Sequence, residues 1–197
     1  MNDYIDSLID IVDTIPLTGE LTILTGSNAS GKSLIRKLLH SRCVEEAKLP
    51  FANWSMQKRT ESNPNFGALS SMMMDNPYTP TSSNSVKGMQ QLLKWKVGED
   101  RVIVIDEPEI GCSDELQHSI AYLLLSLKYD VTIKGLVIIT HSRIIVDLLK
   151  DHSTFFNLDG YKTANEWLNR KIVPLTLEEL KTKSTDLFIA VRDRQNQ

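Results

Sequence analysis

Long apolar runs are missing from this chain. No stretch approaches the roughly 20 apolar residues that cross a bilayer, so a helical membrane span is not expected. Cysteine is nearly absent. Cys43 and Cys112 lie far apart, and neither sits in a metal-ligand spacing. A disulfide framework or a zinc module is therefore not expected, and two reduced thiols fit a cytoplasmic protein. There is no excess of positive charge. The 22 Lys and Arg residues against 25 Asp and Glu give a net charge of -3, so general attraction to nucleic acid or anionic lipid is not indicated. The opening "MNDYIDSLIDIVD" is acidic and does not read as a secretion signal. No internal repeat is visible.

What is present is alternation. Short apolar runs at 21–24, 102–105, 136–140 and 155–158 read as strands, and 51–56 reads as an extended edge. Helical spacing is found at 4–12, 33–47, 86–95, 114–127 and 143–150. The tail has shorter helical pieces at 164–169, 177–181 and 186–191. Residues 58–85 are rich in Ser, Asn, Pro and Met and read as a long loop with one short helix, a length that usually carries function. Continuously apolar strands alternating with helices predict a mainly parallel sheet covered on both faces. Ligands of such sheets bind beyond the carboxyl ends of the strands. The expected organisation is one α/β domain over 1–160, with a loop or helical lid at 58–95, and a helical extension over 161–197.

Three chemically loaded turns follow three of the strands. The first is "GSNASGKS", which fits G-x-x-x-x-G-K-S/T after a strand and before a helix. Backbone N–H groups in such a turn, and at the helix start, point at phosphate oxygens. Gly26, Ser27, Asn28, Ala29, Ser30, Gly31, Lys32, Ser33 and Leu34 form the expected contact set. Lys32 supplies a compact positive charge and the Ser33 hydroxyl is a ligand for Mg²⁺. Ala29 stands where many such loops carry another glycine, which is harmless if its φ is negative.

The second turn is "IDEPE". Asp106 is suited to holding Mg²⁺ directly or through water, and Glu107 to orienting and deprotonating a water that attacks the γ-phosphate. In the third turn, "THS", His141 is positioned to hydrogen-bond a γ-phosphate or the attacking water; a structural histidine in a strand-to-helix turn is the alternative. His40, His118 and His152 receive no role.

These pieces in this order resemble the ABC-type ATPases, in particular the RecF/SMC/overcoming-lysogenisation-defect branch. "IDEPEIGCSDELQ" is similar to that branch's "DEPE-x-x-LHPELQ", and "VIITHSRIIVDLL" to its "THSP" segment. The likeness covers about residues 20–40 and 100–150. It implies a P-loop NTPase fold of the ABC type with a reduced helical subdomain, binding ATP and Mg²⁺. It assigns Asp106 to the metal, Glu107 to the catalytic base and His141 to the switch. It also implies a glutamine linking Mg²⁺ to a mobile subdomain, for which Gln57 is the candidate and an exposed polar residue the alternative. A Ser/Gly-rich signature contacting the other subunit's nucleotide falls on Ser83 and Ser85, although Asn84 and Ser85 replace the family's glycines. A plain helix N-cap at Ser85 is the alternative. Cys112, Ser113 and Asp114 also depart from the family pattern, at a segment that lines its dimer interface.

The function implied is a stand-alone ATPase that pairs head to tail on ATP and drives assembly with a partner such as a nuclease. An ATP-dependent interaction module with little turnover is the alternative, and a P-loop kinase lacks any motif for its acceptor. Met72–Met74 read as core filling, with a docking patch as the other option. The basic residues of the tail are interspersed with acids and read as a solvated face.

Overall fold

The computed structural model describes residues 2–55 and 97–174, together with positions 89, 90, 94, 176–179, 181, 182, 185 and 189. Helix α1 (Asn2–Thr14) leads into strand β1 (Glu20–Thr25), helix α2 (Lys32–Ser41) and a π-helical turn at Arg42–Glu46. Strand β2 (Phe51–Ser55) follows. The chain then runs through β3 (Arg101–Asp106), α3 (Asp114–Leu127), β4 (Ile133–Ile139) and α4 (Arg143–Leu149). A 3₁₀ turn at Lys150–His152, β5 (Thr154–Asn157) and α5 (Ala164–Leu168) complete the described elements.

The five strands form one sheet in the order β2-β3-β4-β1-β5, and every neighbouring pair is parallel. A parallel sheet has no polar face, which is why Val102–Ile105 of β3 and Leu136–Ile139 of β4 are apolar without a break and β1 is buried from Leu21 to Thr25. Alternate residues serve opposite layers. Leu21, Ile23, Ile103, Ile105, Leu136 and Ile138 face one core with α3, α4 and α5. Leu24, Val102, Val104, Val137 and Ile139 face the other, against Leu8, Val12 and Ile15 from the α1 side and Ile35 and Leu39 of α2. Each such Ile or Leu taken fully out of water contributes about 1.5–3 kcal/mol, so both faces of the sheet are strongly held. The α/β class and the parallel, helix-flanked sheet expected from the sequence are observed.

The elements differ from the expected ones mainly at their ends. The helix expected over 33–47 is α-helical only to Ser41, after which the backbone widens into the π-turn. There Cys43 is buried in the core, and burial pushes its thiol up to about 11. Arg42 donates to the carbonyl oxygens of Val12 and Ile15, capping the end of α1 with a cation. Strand β4 begins three residues before the expected 136, through Gly135, where an added Cβ would meet Leu17 and Val102 at 3.1 and 3.3 Å. Helix α5, in the segment expected as an extension, places Ala164 and Trp167 in the core. Met72–Met74 and nearly all of the 58–95 lid lie outside the described residues, as does most of the 186–191 helix. No described helix is long and apolar enough to cross a membrane.

Candidate functional site

Strands β3, β4 and β1 are adjacent and parallel, so their carboxyl ends lie side by side about 5 Å apart. The turns carrying Asp106–Glu109, Thr140–Ser142 and Gly26–Ser33 therefore emerge on one edge of the sheet. The three loaded turns named from the sequence thus share one edge.

The Gly26–Ser33 turn is built from both its own residues and α1. Gly31 has φ +86°, and an added Cβ would come within 2.8 Å of Leu8 Cδ1. At Gly26 an added Cβ would meet Ser30 Oγ at 2.4 Å. Gly31 is thus required for its backbone, and at both positions a side chain would fit only if Leu8 or Ser30 moved aside. From α1, Tyr4 donates its hydroxyl proton to Ser30 O at 2.7 Å. The amides of Leu34 and Ile35 donate to Gly31 O, so the ladder of α2 starts there and the N–H groups of Lys32 and Ser33 lie outside it. Such an end carries partial positive charge toward the mouth of the site. Lys32 Nζ bridges the turn, donating to Gly26 O at 2.9 Å and Ser27 O at 2.8 Å. Burial lowers its pKa, while the charges of Glu107, Asp106, Asp159 and Glu109 raise it, in that order. Lys32 therefore senses every carboxylate of the edge.

Ala29 departs from expectation. Its φ is +61°, not negative, so the turn holds an L-residue in the left-handed region that glycine favours. The cost is tolerated because the bonds on either side fix the turn, including Ser30 N–H to Ser27 O at 3.2 Å.

The acidic residues divide into three roles by their contacts. Asp106, at the end of β3, is buried, and its Oδ2 accepts from Arg36 Nη1 at 2.7 Å. Burial raises the Asp106 pKa, with the Arg36 charge acting against it. Glu107 is held at φ +53°, a strained backbone fixed by its N–H donating to Ile139 O at 2.8 Å. Its Oε1 lies 3.3 Å from His141 Nε2, in ion-pair range but outside hydrogen-bond alignment. His141 holds the Glu107 carboxyl below its usual range, against the effect of burial. Glu109 turns back into the fold. Its two oxygens accept from His141 N–H at 2.7 Å and Thr140 Oγ1 at 2.8 Å. Burial nonetheless outweighs those bonds and raises its pKa.

The strand-end segment after β4 is pinned from a second side. Ser142 Oγ donates to Gln117 Oε1 at 2.6 Å and accepts from Ile145 N–H at 3.1 Å, which caps α4. His141 is thereby fixed between two carboxylates, Glu107 at its ring and Glu109 at its backbone.

Lys32, Asp106, Glu107 and His141 are brought together as expected. Ser33 is exposed in the first turn of α2 on the same edge. Gln57, Ser83 and Ser85 lie outside the described residues. The sequence reading missed three contributors. Arg36 follows Lys32 by four residues, a spacing that puts both on one helix face. Glu109 is the last residue of "DEPE". Asp159 had no local signal: pairing of β5 with β1 carries it to the turn, where its two oxygens accept from Ser27 N–H and Ser27 Oγ, both at 2.7 Å.

Whether a divalent cation suits the site can be judged from its donors. Among the described residues no group of three or more His, Cys, Asp or Glu side chains is arranged to hold a metal. One buried carboxylate and one hydroxyl, both hard oxygens, match a cation that arrives with phosphate and keeps several waters, as Mg²⁺ does. The donor set is of the kind that suits a hydrated Mg²⁺. In comparisons with known proteins, no family model and no curated protein matches the chain.

Proposed function

We propose that the chain is an ATPase of the P-loop, ABC-like kind, binding Mg-ATP at the carboxyl edge of its sheet. One observation carries the reading. The cation of a glycine-shaped turn, a strand-end Asp-Glu pair and a histidine on the neighbouring strand share a single edge, and Lys32 responds to the charge of both carboxylates.

In this reading the α2 N-terminus and the turn amides receive phosphate oxygens, and Lys32 transfers its hydrogen bonds from Gly26 O and Ser27 O to the ligand. Mg²⁺, held by Asp106 and Ser33, would supply neutralising charge to the phosphates when bound. Glu107 orients a water and takes its proton. The neighbouring His141 keeps the Glu107 carboxyl ionised, the state that a base requires. His141 is fixed through its backbone by Glu109, so displacement of its ring by a γ-phosphate would be felt along the β3 and β4 ends. Further proposals follow from the family likeness: ATP-dependent pairing of two chains, and coupling to a protein partner such as a nuclease. Net charge does not indicate nucleic acid as a ligand.

Phosphate release from ATP by the wild type and by Glu107→Gln tests the reading. A measurable wild-type rate that falls by about 10²–10⁴ in the variant supports Glu107 as the base. Equal background rates with ATP still bound point instead to an ATP-dependent interaction module, which the loss of glycines at Asn84 and Ser85 already favours.

A further inference from the structure

We infer that Arg36 is the resident counter-cation of Asp106 and suppresses divalent-metal binding until a nucleotide is present. The inference rests on the proposed Mg-nucleotide reading of this edge and adds a control on the order in which the site fills.

Three observations support it. Arg36 lies one turn after Lys32 on α2, so the helix that offers its amides to phosphate also carries a guanidinium into the metal carboxylate. The contact is close and dry. Nη1 is 2.7 Å from Oδ2, and the two side chains are 17% and 8% exposed. Charge-assisted bonds of this length are among the stronger ones, and at low exposure a charge acts on its neighbours with little screening. The pairing is also one-sided. Arg36 engages Oδ2, and among the described residues Oδ1 accepts no hydrogen bond. A divalent ion at Asp106 must therefore either displace the guanidinium or sit beside it.

Electrostatics then decides the order of events. With protein ligands alone, a divalent ion at Asp106 must compete with the Arg36 guanidinium for the same carboxylate, and the charges of Arg36 and Lys32 offset those of Asp106 and the neighbouring Glu107. Lys32 Nζ is held over the turn at the start of the same helix, by its bonds to Gly26 O and Ser27 O. A triphosphate brings about four negative charges to this mouth and reverses the balance. Arg36 thus makes metal entry conditional on nucleotide, which prevents idle occupancy by free metal. It acts through Asp106 and is a positioning residue.

The competing role is that Arg36 merely holds Asp106 in place. The two roles predict opposite signs. Mn²⁺ binding to the full chain, followed by electron paramagnetic resonance, is measured without nucleotide and with saturating ATP. Counter-cation action predicts that Arg36→Gln binds free Mn²⁺ at least about tenfold more tightly than the wild type. It further predicts that Arg36→Lys, which keeps the charge, stays within about threefold of the wild type, and that adding Asp106→Asn to Arg36→Gln abolishes the gain. With ATP present, wild type and Arg36→Gln should differ by less than about threefold. Unchanged or weaker free Mn²⁺ binding in Arg36→Gln overturns the inference, as does a gain of the same size in Arg36→Lys. Titration with Mg-ATP separates the two levels: absence of binding by the wild type defeats the nucleotide reading, whereas Mg-ATP binding without the Arg36→Gln gain defeats only this inference.

Discussion

Strand β3 carries an arginine–aspartate pair at each end, each with one buried partner, and the two pairs are built differently. At the amino end Arg101 is 1% exposed and Asp130 33%, with Nη2 3.0 Å from Oδ2. The other oxygen of Asp130 accepts from Thr132 N–H at 2.9 Å and from Thr132 Oγ1, while Arg101 also donates to Glu99 O at 3.2 Å. Every oxygen of that aspartate is used, and these bonds lower its pKa. At the carboxyl end the carboxylate is the buried partner, one oxygen is used, and burial raises its pKa. The first pair closes a corner of the fold. The second leaves a charged group under-satisfied in a place where ligand is expected, the arrangement by which sites give up stability for chemistry.

The largest test of that contrast is on stability. Asp130→Ala takes one charged partner from the buried Arg101 guanidinium and should lower unfolding free energy by about 1.5–3 kcal/mol, read by denaturant titration. Asp106→Asn keeps an acceptor for Arg36 and removes a disfavoured charge. It should leave stability unchanged or raise it. Equal losses in the two variants would mean that both pairs are structural.

A subtler test uses pH. Asp130 is depressed in the fold, so its contribution is present above the unfolded carboxylate value of about 3.9 and is lost as pH falls through the folded value. Asp106 is raised, so its ionisation costs stability once pH rises through the folded value, and the cost disappears under acid conditions. The stability difference between wild type and Asp106→Asn should therefore favour the variant at neutral pH and vanish toward pH 4. For Asp130→Asn the difference should favour the wild type at neutral pH and shrink only as pH falls below about 4 toward the folded value. Differences of the same sign would break the comparison.

The smallest expected effect concerns the turn itself. Ala29 sits at φ +61°, and Ala29→Gly should stabilise the protein by about 0.5–1 kcal/mol by relieving the left-handed strain. A loss of stability would show that the turn relaxes to negative φ in solution.

Much of this was legible in the sequence for a physical reason. Strands buried on both faces must be apolar throughout, so β1, β3 and β4 could be read from short runs, and the rule that ligands bind at carboxyl ends then aligned their turns. Gly26, Lys32, Asp106, Glu107 and His141 are legible because each sits in a turn that follows an apolar strand or at the helix start that closes it. Asp159 is not, because its contact with Ser27 depends on β5 pairing beside β1, a neighbour relation that no local pattern encodes. The positive φ at Ala29 is not legible in the sequence because backbone direction in a turn follows from its bonds as well as its residue types. Arg36 was overlooked although four-residue spacing from Lys32 placed it on the same face.

Titration of the purified chain with Mg-ATP, in parallel with Lys32→Ala, tests the central claim most directly. Saturable binding at sub-millimolar ATP, weakened at least about 100-fold in the variant (about 2.7 kcal/mol), is the predicted result. No uptake by the wild type at millimolar ATP, or equal affinity in the variant, would contradict the account.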